Sequence, residues 1–498
     1  MKIPPAIIST LCFISPLGLQ SFAADAPLGV RSMGVFNQAP IRQINGTLNV
    51  EEAVEIAIRQ NPEVLKALRE LERSHGQVIE VRAAALPHLA VNTTYTRTDP
   101  KLSSKLAADA FTAKAWGISL EVKQVLYAGG AVSAGIKAAR LTQDAAYYSL
   151  RDAVDRVVGQ VRQQFAQVLV AEALVVVAQE SVELAGQQLK DAQNRFEAGT
   201  VPRFNVLRAE VEAANVKPGL IRAKNDYLIA QLQLAKALAL EPSDSGKPGF
   251  QCIGELRVSS RALELGDALS LAIARRSSLK AQRQQILIEK EKVVEALAGY
   301  KPRIEVRGGY EVTAKDPTIG LNSAVHGYFF GITGSWKIFD SFETSGQVAQ
   351  AKARMQSATA GYDDALRTVE LEVQRAYADM QQYKETVESQ QKNVEQAVEA
   401  LRLAQERLSA GAGTQLEVLD ARVALTRART TEVQSRADYV RSLAEFDRAT
   451  ATETEYTESF NDPLAELEKR VLRKVAQTQG NQAENLEPKK RPEAKKKS

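Results

Sequence analysis

The sequence predicts a mainly α-helical protein with a membrane β-barrel contribution, built from two tandem repeats that each give two β-strands and a long coiled-coil helical hairpin. Three observations predict it. The chain aligns with itself across its middle. Its apolar residues recur every seven positions over segments longer than a globular core needs. Between those segments lie short stretches in which apolar and polar residues strictly alternate.

Composition agrees with long helices. Aromatics make up 6% of the 498 residues, with 2 tryptophans and 4 methionines. Coiled coils and long helices tolerate such a shortage, whereas globular cores do not. The net charge of +4 gives no strong attraction to nucleic acid.

Residues 1–23 carry the marks of a signal peptide. Lys2 is followed by an apolar run from Ile3 to Leu19, and Ser21-Phe22-Ala23 offers small residues for cleavage. Pro4, Pro5 and Pro16 argue against a membrane anchor. Residues 24–47 form an N-terminal extension. No later segment holds about eighteen consecutive apolar residues, so a membrane-spanning part must be a closed β-barrel. Cys252 is the single cysteine after the leader and has no internal partner.

The internal repeat is the most informative feature. Arg195-Phe196-Glu197-Ala198-Gly199 aligns with Arg407-Leu408-Ser409-Ala410-Gly411. Without gaps, Val206-Leu207 then meets Val418-Leu419 and Tyr227 meets Tyr439. Pro87 matches Pro302, and Leu126-Tyr127 matches Ile338-Phe339. Repeat 1 therefore covers residues 48–240 and repeat 2 residues 264–450, joined by a linker over 241–263. Residues 451–498 end in a basic, disordered tail, with Lys489-Lys490-Arg491 and Lys495-Lys496-Lys497.

Each repeat passes through the same order. Helical pattern runs from Val50 to Leu86 and from Leu265 to Tyr300. Strands follow over 87–98 and 114–126, and over 302–313 and 328–338. Helical hairpins close the repeats over 131–240 and 344–450. In the long helices Val161, Val168, Val175, Val182, Leu189 and Phe196 are spaced by seven, as are Val373, Met380, Val387, Val394, Leu401 and Leu408. A strict seven-residue repeat implies left-handed supercoiling. Each long helix would reach roughly 100 Å and each returning helix about half that. Two short helices end to end therefore match one long one. Gly199, Gly411 and Gly413 mark the hairpin-tip turns.

In the strands, Trp116, Ile118, Leu120 and Val122 alternate with small or charged residues, and Ile304, Val306, Tyr310 and Val312 do likewise. The pattern fits lipid-facing and lumen-facing sides of strands about ten residues long. A soluble half-buried sheet gives the same alternation. Four strands cannot close a barrel, since about eight is the smallest common number, so the barrel must be shared between chains.

With these features on the page, the sequence resembles the TolC-like outer-membrane efflux protein family of Gram-negative bacteria. The resemblance spans about Leu48 to Thr450. It rests on Arg195 to Gly199 with Val206-Leu207-Arg208-Ala209, on Arg407 to Gly411 with Glu417-Val418-Leu419-Asp420-Ala421, and on Gln124 to Gly130. It implies a homotrimer with a twelve-stranded β-barrel on a periplasmic α-barrel, seated in outer-membrane lipid. It further implies an inner-membrane transporter and a periplasmic adaptor (membrane fusion) protein as partners, in efflux or type I secretion, with no catalysis and no cofactor. A periplasmic coiled-coil adaptor or scaffold without a pore is the alternative. It explains the heptads and the leader but not the paired amphipathic strands.

The candidate residues follow. Glu417 and Asp420 share one face at the start of the last helix, where the family resemblance implies a carboxylate ring narrowing the periplasmic mouth. Acids at a helix start are also ordinary capping chemistry. Repeat 1 has Asn205 and Arg208 at the equivalent places, with Arg203 before them. These arginines are expected either to pair with Glu417 or Asp420 or to form a solvated turn. Glu121, Lys123, Glu305, Arg307 and Glu311 are expected to line the barrel lumen. Pro218-Gly219, matched by Thr430-Thr431, is expected to bend the first returning helix as a kink or hinge. Residues 99–112 and 314–326 read as external loops. His75, His88 and His326 lack metal-ligand spacing.

Overall fold

The computed structural model describes residues 44, 46–97, 114–241, 248–254, 263–314 and 324–451. The leader, nearly all of the extension, most of the linker and of the two expected loops, and the tail lie outside the described residues.

Asn49 starts the first helix with a reciprocal cap. Its side chain accepts from Glu52 N at 2.8 Å, and Glu52 returns a contact to Asn49 N. The helical pattern does not run unbroken to Leu86. It divides into α1 (Val50–Gln60) and α2 (Pro62–Ala83), because Asn61 is extended ahead of Pro62. Repeat 2 breaks likewise, into α5 (Leu265–Arg275) and α6 (Ser277–Leu297), at extended Arg276.

The long helices α3 (Ala131–Glu197) and α7 (Glu343–Ser409) have 67 residues each. That is ~100 Å of helix. The returning helices α4 (Arg203–Ala237) and α8 (Gln415–Thr450) have 35 and 36. Helix α4 covers the distal part of α3 and α2 the proximal part. The two meet where Gln60 Nε2 donates to Leu238 O at 2.6 Å and Asn61 Nδ2 to Ala237 O at 2.9 Å. The joint of repeat 2 uses charge instead. Arg276 and Arg448 reach one oxygen of Glu372, at 2.7 and 3.4 Å.

The heptad residues form the core of the second hairpin. Val373, Met380, Val387, Tyr439 and Phe446 are buried together near the joint, and Leu401, Val418 and Leu425 nearer the tip. Helix α3 also packs against α6 and α8, which ties the two repeats side by side. Short strands β1 (Gly46–Leu48) and β4 (Phe250–Cys252) pair in parallel, bringing the start of repeat 1 to the linker.

The remaining strands are β2 (His88–Arg97), β3 (Lys114–Ala128), β5 (Arg303–Ala314) and β6 (Val325–Ser335). They form one antiparallel sheet in the order β2-β3-β5-β6. The last strand lies three residues earlier than the expected 328–338, and β3 runs to Ala128 rather than stopping at 126. One cause serves for the ends of both strands. The β2–β3 ladder ends at His88↔Lys123, and residues beyond it in β3 pair only with β5. The equivalent residues after Ser335 have no such neighbour within the chain.

Candidate functional site: the sheet faces and the helical tips

Register decides which side chains share a face, because cross-strand partners point the same way. Leu89↔Val122, Val91↔Leu120 and Tyr95↔Trp116 lie on one face, which continues through Leu120↔Tyr310 and Tyr310↔Tyr328. That face is apolar and exposed, reaching 89% exposure at Tyr328. On a water-soluble protein such a patch would drive aggregation. Trp116 and Tyr127 bound it on β3. They stand about 11 residues apart, which for strands tilted by about 40° gives ~27 Å, the height of a barrel's apolar band.

The opposite face carries all five of the expected lumen charges. Lys123 stands opposite Arg307, Glu121 opposite Gly309, and Ser119 opposite Glu311. Lys123 Nζ lies 2.9 Å from Glu305 Oε2, and Arg303, which sequence reasoning passed over, places Nε 2.6 Å from Glu305 Oε1. The charges therefore form a mixed-sign strip.

Gly129 and Gly130 turn β3 into α3 at φ +63° and +99°. A side chain at Gly129 would lie 2.8 Å from Ala298 O. Lys301 Nζ donates to Gly129 O at 3.0 Å and pins this corner to the one before β5.

At the far end the chain reverses twice. Gly199 and Gly411 adopt φ +73° and +76°. Thr200 N donates to Arg195 O and Ala412 N to Arg407 O, both at 2.9 Å, satisfying helix-end carbonyls. Gly413 serves close approach instead. An added Cβ there would sit 3.0 Å from both Arg407 Cβ and Leu408 N.

Thr414 caps α8 by accepting from Glu417 N at 3.3 Å. The Glu417 carboxylate lies 3.6 Å from Arg407 Nη1, an exposed pair of small energetic weight. Asp420 and Arg203 are exposed, and Asn205 and Arg208 are half-buried. Among the described residues, neither Arg203 nor Arg208 pairs with Glu417 or Asp420 within the chain. Arg407, from the long helix of the same hairpin, takes that place beside Glu417. Pro218 lies inside α4, which continues on both sides of it.

The decisive tip residue missed from sequence is Arg422. It is 2% exposed and joins three helices. Its Nη1 donates to Gln188 Oε1 on α3 at 2.7 Å, and its Nη2 to Glu212 Oε1 on α4 at 3.1 Å. Burial pushes its pKa down, and Glu212 opposes that shift. One turn pair further up, Arg429 binds Glu180, and Arg441 Nη2 donates to Gln167 Oε1 at 3.0 Å. These contacts bind the second hairpin to the first.

The family described as "Outer membrane efflux protein" matches residues 53–240 and 268–452, one stretch in each repeat. The chain belongs to the outer membrane efflux protein family. This outer membrane efflux protein is 27% identical over 241 residues to the cobalt-zinc-cadmium resistance protein CzcC of Cupriavidus metallidurans, covering 48% of this chain and 51% of CzcC. It thus spans about half the length of that relative. It is 23% identical over 436 residues to the alkaline protease secretion protein AprF of Pseudomonas aeruginosa, covering 81% and 84% of the two chains. Its fold matches that of CusC, which forms a transmembrane channel, with a TM-score of 0.72 at 17% identity over 84% of this chain and 95% of CusC.

Proposed function

We infer that this efflux protein is the passive outer-membrane channel of a tripartite efflux or type I secretion system. One observation carries the reading. A four-stranded sheet with an exposed apolar face, a charged face and two edges unpaired among the described residues is joined directly to helical hairpins ~100 Å long. Three copies would close a barrel of twelve strands. The hairpins would continue it as an α-barrel through the periplasm. A periplasmic adaptor and an inner-membrane transporter would deliver cargo and energy to the tips.

The strip of Glu121, Lys123, Glu305, Arg307 and Glu311 would face the lumen. Its mixed signs suit a wet pore that is not shaped around one cargo. The relatives include proteins named for metal resistance and for protease secretion, so metal ions and polypeptides are both cargo candidates. At the other end, Glu417 and Asp420 from three copies would gather around one axis. A ring of carboxylates repels itself and attracts multivalent cations. Arg203, Asn205 and Arg208 of the first hairpin would stand beside that ring.

Single-channel conductance in planar bilayers tests the reading. The Glu417→Ala/Asp420→Ala double variant should conduct more than the unaltered protein and resist block by multivalent cations. Unchanged conductance and block would remove both residues from the gate.

A further inference from the structure

The two sheet hairpins repeat each other in register as well as in sequence. His88 pairs with Lys123 at one end of the first, and Arg303 with Ser335 at the same place in the second. At the other end Arg97 pairs with Lys114, and Val312 with His326. His88 is therefore equivalent to Arg303, and Lys123 to Ser335, without slippage along either strand.

Between the hairpins lies one seam, β3 against β5. There Leu120 faces Tyr310, Glu121 faces Gly309, Lys123 faces Arg307, Gln124 faces Val306 and Tyr127 faces Ile304. Among the described residues the outer edges of β2 and β6 are unpaired. In a closed ring of copies, β6 of one copy must meet β2 of the next. Two repeats of one design meeting again have one register that reproduces the seam already present.

We propose that β6 pairs with β2 of the next copy in the register of the β3–β5 seam, placing Thr333 opposite Thr94, Ser335 opposite Asn92, and Ile332 opposite Tyr95. The inference rests on the oligomeric channel reading above and specifies its subunit interface. Two further observations support it. The same register sets Trp336 against Val91 and Phe339 against Leu89. With Ile332 and Tyr95 these are six large apolar residues, all at least 61% exposed in the single chain. Aromatic residues facing aliphatic or β-branched ones are favourable cross-strand pairs. The register also supplies a ladder for residues 336–340. Their counterparts 124–128 are strand only because β5 pairs with them. Lys123 and Glu305 bridge the internal seam, but their equivalents at the seam between copies are Ser335 and Ala90. Backbone ladder and apolar pairs, rather than ion pairs, would hold the copies together.

Disulfide trapping tests the register in the full chain, in a Cys252→Ala background. Opposed residues in an antiparallel pair stand about 4.5–5.5 Å apart at Cα, within disulfide reach, whereas diagonal ones lie about 7–8 Å apart. The matched variants are Thr333→Cys/Thr94→Cys and Ser335→Cys/Asn92→Cys. The swapped variants are Thr333→Cys/Asn92→Cys and Ser335→Cys/Thr94→Cys. Mild oxidation of outer membranes, followed by non-reducing gels, should link the matched pairs between chains at least tenfold faster than the swapped ones. Swapped pairs linking as fast, or both matched pairs failing while native mass still shows an oligomer, would overturn the register and leave the channel reading intact. A monomer in the membrane extract would overturn both.

Discussion

Cys252 lies buried on β4 at 3% exposure, and its thiol is pushed up to about 12 by burial first and by the nearby Glu172 charge second. The thiolate is the reactive form. At pH 8 only about one thiol in ten thousand would be ionised, against roughly one in four for an ordinary cysteine. Maleimide labelling of the folded protein at pH 8 should therefore be far slower than labelling of the unfolded chain at the same pH. Fast labelling at pH 8 that matches the unfolded chain would contradict the burial. Arg422 makes a second case. Truncating it leaves Glu212 and Gln188 without their charged donor, which costs about 2–3 kcal/mol for bonds of this type. Arg422→Ala should speed hydrogen exchange in the distal parts of α3, α4 and α8 by roughly 30- to 150-fold. Exchange that rises evenly along all helices would argue against a local clasp. Gly199 and Gly411 are legible in the sequence, since a reversal after a long heptad run demands a left-handed residue; Gly413 is needed for close approach to Arg407, which the sequence does not show. Arg422 was not, because a lone arginine on a helix reads as surface. Its spacing with Arg429 and Arg436 at seven-residue intervals was the available signal, one that marks a charged seam beside the apolar one.

At the scale of elements, the two long helices, their returning partners and the four strands were readable because each has a period: seven for the hairpins and two for the strands. The breaks were not. Asn61-Pro62 carries a proline signal that an amphipathic run masked, and Arg276 carries none. That break is held by tertiary contact, Arg276 to Glu372. The end of β6 differs for another reason: residues 336–340 lie beyond the last pair with β5, Arg303↔Ser335, and the proposed seam with a further copy would give them a ladder. The proline in α4 gives a prediction at this scale. A proline costs about 3 kcal/mol in a helix interior and a glycine about 1. Because α4 continues through Pro218-Gly219, Pro218→Ala/Gly219→Ala should stabilise the helix by about 1–3 kcal/mol, measured as resistance to pulse proteolysis. If conductance and gating stay unchanged, Pro218 is not a hinge. Slower opening in the same variant would mark a hinge.

The whole molecule solves one problem twice. Each repeat makes two strands and a hairpin, and neither repeat can bury the apolar face of its sheet or close its edges alone. No helix among the described residues is long and apolar enough to cross a membrane. The duplication supplies half of the answer inside the chain, as the β3–β5 seam and the α3–α8 contacts. Under the proposed function, further copies would supply the other half. The proposed working unit is a closed ring of three chains seated in the outer membrane. Native mass spectrometry of the detergent-extracted outer-membrane fraction tests this most directly. A complex of three mature chains that survives warming in mild detergent is the expected result. A single chain, or one recovered only from the soluble periplasmic fraction, would contradict it.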